Sequence, residues 1–594
     1  MKSNKFRFFP SLKRYSKGEY IALFNPYNLA KVYLTKKEYE NILTFKTSQT
    51  TINKLFKKNI LVEKDFDFPH YLDKFRKEHL KERPNISLMY LLLTENCNYD
   101  CKYCFIEHRI RKNTQNMTIN TAKKALDIFH HLTKPKKNKK IIFYGGEPLL
   151  NKKVLLYVIK KEKIDQKTKI SIVTNGSLID KKIAKIFAKN KIDVSVSIDG
   201  DKETHNKMRV FYQSNRPTFE ETLRGFFLLK EAGCKPSISC TVGPHNYKKL
   251  EQIMEYFIKI GAAGIGFNLL TYCPIKNPPK VESVAENMIK AYDVARANGI
   301  VENRIYTRKV KPFVEEKPWV KDCAGYGNQI TVTPKGMIGP CHAFWPENKY
   351  FEPITKKAKK ITDSNTWKEW NSRTAYNMPK CLNCPSISLC GGGCAYYAYT
   401  QQKDIWSADK RICSFSNKVL EWMIWDLFEK MQQKELLVEG KKIIIRPISS
   451  TDPRRWKKFL LNLKKENTFL SVNELLDIGK KWVKDMISLN YNQKGYTLVL
   501  LEKNKIIGFA NIVPEGKDCN IGIALLKEFC GKGMGKKMAK ILEKKAKELG
   551  YKKIIFKTKK ENESAKALAK KLQYKKIREE ENKIIFEKEL KQKK

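Results

Sequence analysis

Six short β-rich runs, Ile86–Thr94, Ile141–Tyr144, Lys169–Thr174, Asp193–Ile198, Pro236–Thr241 and Gly264–Leu269, recur with Lys-rich amphipathic stretches between them. Strands that alternate with helical stretches point to a parallel sheet joined by crossover helices. The fold class expected is α/β, with these six units forming a partial (β/α)6 barrel. In such barrels the chemistry sits on the loops after the C-terminal strand ends. The basic run from Lys134 to Lys140 precedes its strand, so it reads as a solvated loop on the opposite face.

At 594 residues the chain has room for about four domains. Shifts in composition divide it into 1–85, 86–310, 311–435 and 436–594. In the first, Tyr20–Phe24 and Ala30–Leu34 read as strands around Asn25-Pro26. Lys36–Phe45 and Thr51–Phe56 read as helices, and Ile60-Leu61-Val62 as a closing strand. That is a winged-helix-like pattern, and it resembles the peptide-recognition modules that precede peptide-modifying enzymes. Residues 311–435 are rich in Cys and Gly, with little periodicity before a helix at Lys418–Gln432. A strand at Lys442–Arg446 opens the last α/β unit.

Lys and Arg number 117 against 62 Asp and Glu, a formal charge of +55. The lysines are spread along the chain and fill no single stripe, which argues against dedicated nucleic-acid binding. No apolar run reaches the ~18–20 residues of a membrane span, and no apolar signal core follows the basic start. The expectation is a cytoplasmic protein. Its 15 Cys are too few for a disulfide scaffold and are clustered, which reads as metal binding. Cys234, Cys240, Cys273, Cys519 and Cys530 stand outside the clusters and read as buried thiols.

Cys97-x3-Cys101-x2-Cys104 follows directly on the first run. Three thiolates on one short loop can hold three irons of a [4Fe–4S] cluster and leave the fourth open, whereas a zinc site wants four closed ligands. With Tyr103 before the third Cys, this spacing resembles the radical S-adenosylmethionine (radical SAM) superfamily. The resemblance implies that the open iron binds SAM and that Gly145-Gly146-Glu147-Pro148 contacts its methionyl amino group. It also implies SAM contacts from Thr174, Asn175, Ser195, Ser197 and Asp199 at successive strand ends, and from Arg209 to the SAM carboxylate. Reductive cleavage of SAM to a 5′-deoxyadenosyl radical is the chemistry implied.

Downstream, Cys323-x12-Gly336-x4-Cys341, then Cys381-x2-Cys384-x5-Cys390-x3-Cys394 and Cys413, resemble the SPASM domain. The resemblance implies two auxiliary [4Fe–4S] clusters, so three clusters in all. Carried over by position, Cys323, Cys341 and Cys394 serve one; Cys381, Cys384, Cys390 and Cys413 serve the other. Seven ligands for two clusters leave an iron open beside Cys323, unless Cys273, Asp322 or His342 closes it.

Ile521–Leu526 leads through Cys530-Gly531-Lys532-Gly533-Met534-Gly535 into an amphipathic helix with Met538, Ile541, Leu542 and Leu549 on one face, ending at Gly550. A Gly-rich helix start offers backbone N–H groups to phosphate. With Lys553–Lys557 and Asn562–Tyr574, the region resembles the GNAT acetyltransferases, which implies acetyl-CoA binding by residues 530–535 and Asn562. Two departures matter: Cys530 stands where Arg or Gln is usual, and Ala569 where many relatives carry a general-acid Tyr.

The reading as a whole is a radical SAM enzyme that modifies a ribosomally made peptide or protein carrying a leader sequence. A thioether or other crosslink is favoured, and an electron donor such as flavodoxin or ferredoxin is implied. The alternatives are a formylglycine-generating sulfatase maturase and an Elongator-like tRNA-modifying enzyme. The latter family lacks a SPASM region.

Overall fold

A computed structural model describes residues 6–44, 46–80, 83–104, 114–134, 138–165, 168–270, 278–449, 451–466, 475–476, 479–503 and 505–590. Six parallel strands, β1 (Leu88–Thr94), β2 (Lys139–Gly145), β3 (Thr168–Thr174), β4 (Asp193–Ser197), β5 (Ser237–Val242) and β6 (Ile265–Leu269), lie side by side in chain order. Their registers run from Leu88 opposite Lys140 to Val242 opposite Leu269. Helices such as Ile119–Leu132, Lys181–Lys189 and Leu250–Lys259 fill the crossovers. Apolar residues at every second position, among them Ile141, Phe143, Ile172, Val194, Val196, Ile238 and Phe267, are buried against these helices. The alternate positions, Tyr144, Ser195, Ser197, Ser239, Thr241 and Asn268, form the other, less buried face.

The sheet does not stop at β1. Its free edge pairs in parallel with Gln329–Val332, which turns back through Met337–Gly339 to Glu352–Pro353. The segment carrying Cys323 and Cys341 is thus mounted on the barrel's own sheet. On the far edge, Ile265 bridges Glu302, and residues Asn303–Val310 form a π-helix beside β6.

The basic run departs from the expectation of a solvated loop. Residues 135–137 lie outside the described residues, but Lys139 opens β2, is buried, and hydrogen-bonds His130 Nδ1 at 3.0 Å. His130 in turn meets Glu162 at 2.8 Å. The expected helix at Lys418–Gln432 begins earlier, spanning Lys410–Met431, because Asp409 caps it by accepting from Ile412 N at 3.1 Å.

Near the start of the chain, Lys13–Lys17, Tyr20–Phe24 and Lys31–Thr35 make an antiparallel meander, followed by helices Lys36–Leu43, Gln49–Lys57 and Phe68–His79. This unit is docked on the Cys-rich region. Tyr27 donates to Leu382 O at 2.8 Å and packs edge-on to Phe75, and Arg76 donates to Tyr376 O. Gly18, at φ 58°, turns the first hairpin so that Glu19 N donates to Tyr491 O at 2.8 Å. A Cβ on Gly18 would stand 2.2 Å from that carbonyl oxygen.

Residues 434–589 build a separate eight-stranded sheet with its own core around Trp456, Phe459, Val499 and Leu542. All its neighbours are antiparallel except Asp518–Leu525 and Lys553–Lys559. These two pair in parallel at Cys519 and Asn520 alone. Charged pairs join this unit to the barrel. Arg455 pairs with Asp293 and Arg454 with Glu255 at 2.9 Å, while within the unit Asp452 takes two 2.7 Å bonds from Arg446 and a further pair from Arg455. Arg296 joins the same group through Asp293 and through two 2.9 Å bonds to Asp426.

Candidate active site

The loop after β1 is laced to the segment 208–212. Asp100 N donates to Val210 O at 2.7 Å, Lys102 N to Met208 O at 2.9 Å, and Tyr212 N to Asn98 O at 3.0 Å. Tyr99 is fully buried and its hydroxyl meets Thr222 at 2.8 Å, so it anchors the loop from below. Cys97, Cys101 and Cys104 stand half-exposed on this frame. Tyr99 N points at Cys97 Sγ at 3.4 Å and Arg209 Nη1 at Cys101 Sγ at 3.8 Å. Donors aimed at sulfur are what cluster-bound thiolates require.

Gly145 and Gly146 are glycines because of this loop. A Cβ on Gly145 would lie 2.3 Å from Thr94 O and one on Gly146 2.1 Å from Asn96 O. Gly146 N donates to Thr94 O at 3.0 Å and Glu147 N to Asn96 O at 2.8 Å, so the motif clasps the Cys loop from the side. The Glu147 carboxylate looks the other way. It accepts from Thr174 Oγ1 at 2.7 Å, Asn175 N at 2.7 Å and Leu149 N at 3.1 Å. Burial pushes its pKa up to about 7, against the pull of those three hydrogen bonds. Asn175 Nδ2 donates to Asn98 Oδ1 at 2.9 Å, and Asn98 Nδ2 to Ser177 Oγ at 2.9 Å. Three consecutive strand ends are therefore one network, in which Asn98 and Ser177 are members that spacing alone did not single out.

Asp199 is wholly buried and binds Arg209 through Nε at 2.9 Å and Nη2 at 3.3 Å. Tyr103 donates to the same carboxylate at 2.5 Å, as does Thr241 N at 3.0 Å. Burial opposes the charge of Asp199, yet Arg209 and His245 together outweigh it and hold the carboxyl far below the usual range. The Asp199–Arg209 pair fixes the guanidinium with Nη1 turned toward Cys101. Ser195 and Ser197 stand half-buried on the inner face of β4.

The downstream cysteines gather in two groups. Cys341 lies within the electrostatic reach of Cys323 and Cys394, and Cys413 within that of Cys381, Cys384 and Cys390. Burial and mutual repulsion of thiolates push Cys323 and Cys381 each up to about 11. Bound iron would relieve such repulsion. Among the described residues no three His, Cys, Asp or Glu side chains surround one ion position. Thiolates of a [4Fe–4S] cube bind different irons, and two gatherings of thiols are the donor chemistry such clusters use. Cys273 lies outside the described residues.

The ring of His342 stacks on Tyr90 at 4.6 Å, and burial lowers its pKa to about 4. Asp322 pairs with Arg308 at 3.1 Å and Arg304 at 3.6 Å. Trp345 Nε1 donates to buried Glu95, just after β1, at 3.0 Å, a second tie between the two cysteine-bearing segments.

In the C-terminal unit, Gly531 and Gly533 take φ of 77° and 74°, with Gly533 capping the helix Met534–Glu548. Nothing lies within 4 Å of a Cβ at either, so the glycines serve backbone conformation and leave the turn open. Cys530 is exposed, contrary to the buried thiol expected, because it sits on this turn. Lys532 meets Glu439 at 2.6 Å. Asn562 caps the helix Glu563–Lys571 by accepting from Ala565 N at 3.1 Å, and Ala569 is buried.

Residues 91–257 match the radical SAM superfamily, and residues 442–575 match the acetyltransferase (GNAT) domain. The radical SAM cyclopropyl synthase TigE of Paramaledivibacter caminithermalis is 24% identical over 398 residues, 63% of this chain and 82% of that protein. A cysteine-type anaerobic sulfatase-maturating enzyme of Clostridium novyi is 22% identical, over 52% of this chain and 88% of its own. The solved structure of anSMEcpe with bound AdoMet covers 58% of this chain and 94% of its own, at 21% identity and a TM-score of 0.49. No helix among the described residues is long and apolar enough to cross a membrane. Residues 91–257 form a radical SAM domain, which implies SAM and a [4Fe–4S] cluster, residues 442–575 form a GNAT acetyltransferase domain, and the chain that carries both is an enzyme.

Proposed function

We propose that the chain is a peptide maturase that removes two hydrogen atoms from a peptide or protein and leaves a crosslink in their place. Support comes above all from the gathering of Cys323, Cys341 and Cys394, the first two of which flank a strand hydrogen-bonded to β1, so that a second thiol group is mounted on the barrel's own sheet. TigE and the sulfatase-maturating enzyme, by their names, make a cyclopropyl group and mature a sulfatase. In this reading Cys97, Cys101 and Cys104 hold the first cluster, with Cys323, Cys341 and Cys394 on a second and Cys381, Cys384, Cys390 and Cys413 on a third.

When bound, SAM and its cluster supply a 5′-deoxyadenosyl radical that takes hydrogen from an unactivated C–H bond. The chain's own residues position and enclose. Gly145, Gly146 and Glu147 fix the Cys loop, Thr174 and Asn175 lock it to β3, and Arg209, held by Asp199, presents one edge for a carboxylate. Ser195 and Ser197 offer hydroxyls on the inner face, and Tyr103 lies buried behind the loop, tied to Asp199. The Cys323 group has three thiols, and Asp322 is already engaged by two guanidiniums. A substrate thiol would suit the remaining place, which favours a thioether. Residues 1–85 would hold a leader segment, residues 530–535 with Asn562 would hold acetyl-CoA, and a flavodoxin or ferredoxin in the cytoplasm would supply electrons.

The test is anaerobic reconstitution of the full chain with a synthetic Cys-containing precursor peptide, SAM and reductant, read by mass spectrometry. Peptide lighter by two hydrogen atoms, with one 5′-deoxyadenosine per event, is expected. Oxidation of a single Cys to formylglycine, or no change in any peptide while SAM is cleaved, would sink the crosslink reading.

A further inference from the structure

Three guanidiniums converge where β6, β1 and the Cys323 segment meet. Arg304 and Arg308 lie four residues apart on the π-helix Asn303–Val310, an element that is rare and recurs at functional sites. Arg411, from the long helix Lys410–Met431, donates through Nη1 to Leu269 O and Leu270 O at the end of β6. Arg308 faces Tyr90 of β1 and Cys323. The group is therefore on the open side of the barrel, next to the second set of thiols.

The partners of these cations are unevenly shared. Arg308 has Asp322, through its carboxylate at 3.1 Å and its carbonyl at 3.2 Å. Arg411 has Asp409 at 3.1 Å, while its Nε is buried and has no partner among the described residues. Arg304 has a 3.6 Å ion pair to the Asp322 carboxylate that Arg308 already holds, and among the described residues its guanidinium donates no hydrogen bond. Its side chain is 14% exposed, enclosed yet reachable. Glu302 is nearby, but its two oxygens accept from Arg304 N at 2.8 Å and Ile305 N at 2.6 Å. The Asp409 carboxylate is spent on Ile412 N and Cys394 N. Lys309 is turned away, donating to Leu389 O. A guanidinium with five donors, pressed by two like charges and given one distant half-share of a carboxylate, is short of an anion among the described residues.

We infer that Arg304, Arg308 and Arg411 form a clamp for a peptide carboxylate, which makes an acidic group next to the modified position a requirement of the substrate. The inference deepens the peptide-maturase reading and rests on it. A carboxylate suits the planar fork of Arg304, which can make two parallel charge-assisted bonds. The carboxylate could be an Asp or Glu side chain or the free C-terminus of the peptide.

The rival is that the three guanidiniums only balance thiolate charge, since Arg308 and Arg411 also face Cys323 and Cys394. Equilibrium dialysis of the full, cluster-reconstituted chain without reductant separates the two. The probes are acetyl-Gly-Asp-Gly-amide, acetyl-Gly-Asn-Gly-amide and acetyl-Gly-Gly-Gly with a free carboxylate. The aspartyl probe is expected to bind at least tenfold more tightly than the asparaginyl one, and the gap to close below twofold in Arg304→Gln. Binding of the third probe as tight as the aspartyl one assigns the clamp to a chain terminus; weaker binding assigns it to a side chain.

Equal binding of aspartyl and asparaginyl probes by the wild-type chain overturns the proposal, whether or not Arg304→Gln folds. So does a gap that persists in both Arg304→Gln and Arg304→Lys. A changed iron–sulfur absorption spectrum in Arg304→Gln with the binding gap intact would leave charge balance alone standing. Because no turnover is involved, carboxylate binding by a chain that modifies no peptide would count against the maturase reading only. Modified peptides indifferent to loss of their acidic groups would count against the clamp only.

Discussion

A single methyl group at Gly146 would meet the carbonyl oxygen of Asn96, main chain that cannot swing aside. Gly146→Ala is therefore expected to push the Cys97 loop off its seat. 5′-Deoxyadenosine formation should fall at least tenfold while iron on the downstream thiols is kept, as iron assay and SAM cleavage would show. Gly533→Ala is the contrast. It meets no atom within 4 Å and carries only the strain of φ 74°, about 1 kcal/mol. Its unfolding midpoint in urea should move slightly, and a loss of several kcal/mol would show that the turn is packed from outside.

At this scale the spacing of Cys97, Cys101 and Cys104 and the position of Gly145–Glu147 were legible, because ligands on one loop must be close in sequence. The bonding of Glu147 to Thr174 and Asn175, and the roles of Asn98, Ser177 and Glu95, were not. They meet across 27 to 250 residues of chain, and nothing local marks them.

Among the elements, the helix Lys410–Met431 touches most of the molecule, with Cys413 and Arg411 near one end and Glu429 near the other. Glu429 is buried at the junction with the first meander and the C-terminal unit. It accepts from Tyr491 Oη at 2.8 Å and meets Lys17 at 3.6 Å. Burial raises its pKa from 4.5 to about 7, against the pull of Lys17, Tyr491 and Arg446, while Asp426 adds to the rise. The folded value stands above the unfolded one, so the fold prefers the protonated acid. That stability is full below about pH 4.5 and is lost as pH rises through about 7. At ~1.4 kcal/mol per unit the loss is on the order of 3 kcal/mol. Glu429→Gln should flatten thermal stability between pH 5 and 8, and an unchanged slope would mean that other groups set it.

The six barrel strands were readable to within three residues at either end because buried alternation leaves a period of two. The strand Gln329–Val332 was not read, since four residues among glycines and cysteines carry too short a pattern. The π-helix was hidden as well, its Arg304–Arg308 spacing being that of any α-helical face.

Over the whole molecule, a network of charged pairs helps to join the C-terminal unit to the barrel. Asp293 holds both Arg455 and Arg296, and Arg296 holds Asp426, so one carboxylate ties three parts of the chain. Removing one member of a buried pair leaves charge uncompensated, typically at a cost of ~3–5 kcal/mol. Asp293→Asn is expected to split thermal unfolding into two calorimetric transitions, with the acetyltransferase domain melting apart from the barrel. One undivided transition at the wild-type temperature would show that the network adds nothing to the joint. None of this was legible beforehand, because Lys and Arg saturate the composition and no single one announces a partner.

The contact between Gly18 and Tyr491 ties the order of synthesis to the order of folding. The hairpin at Gly18 leaves the ribosome early, yet the carbonyl it closes on is made roughly 470 residues later, about 25–95 s at ~5–20 residues per second. For that interval the first meander has its own hydrogen bonds but only part of its seat. Tyr20 and Lys17, which end against Phe428 and Tyr491, stay wet until nearly the whole chain has emerged. A nascent chain stalled before residue 491 should therefore expose that hairpin to protease, and one released beyond it should not.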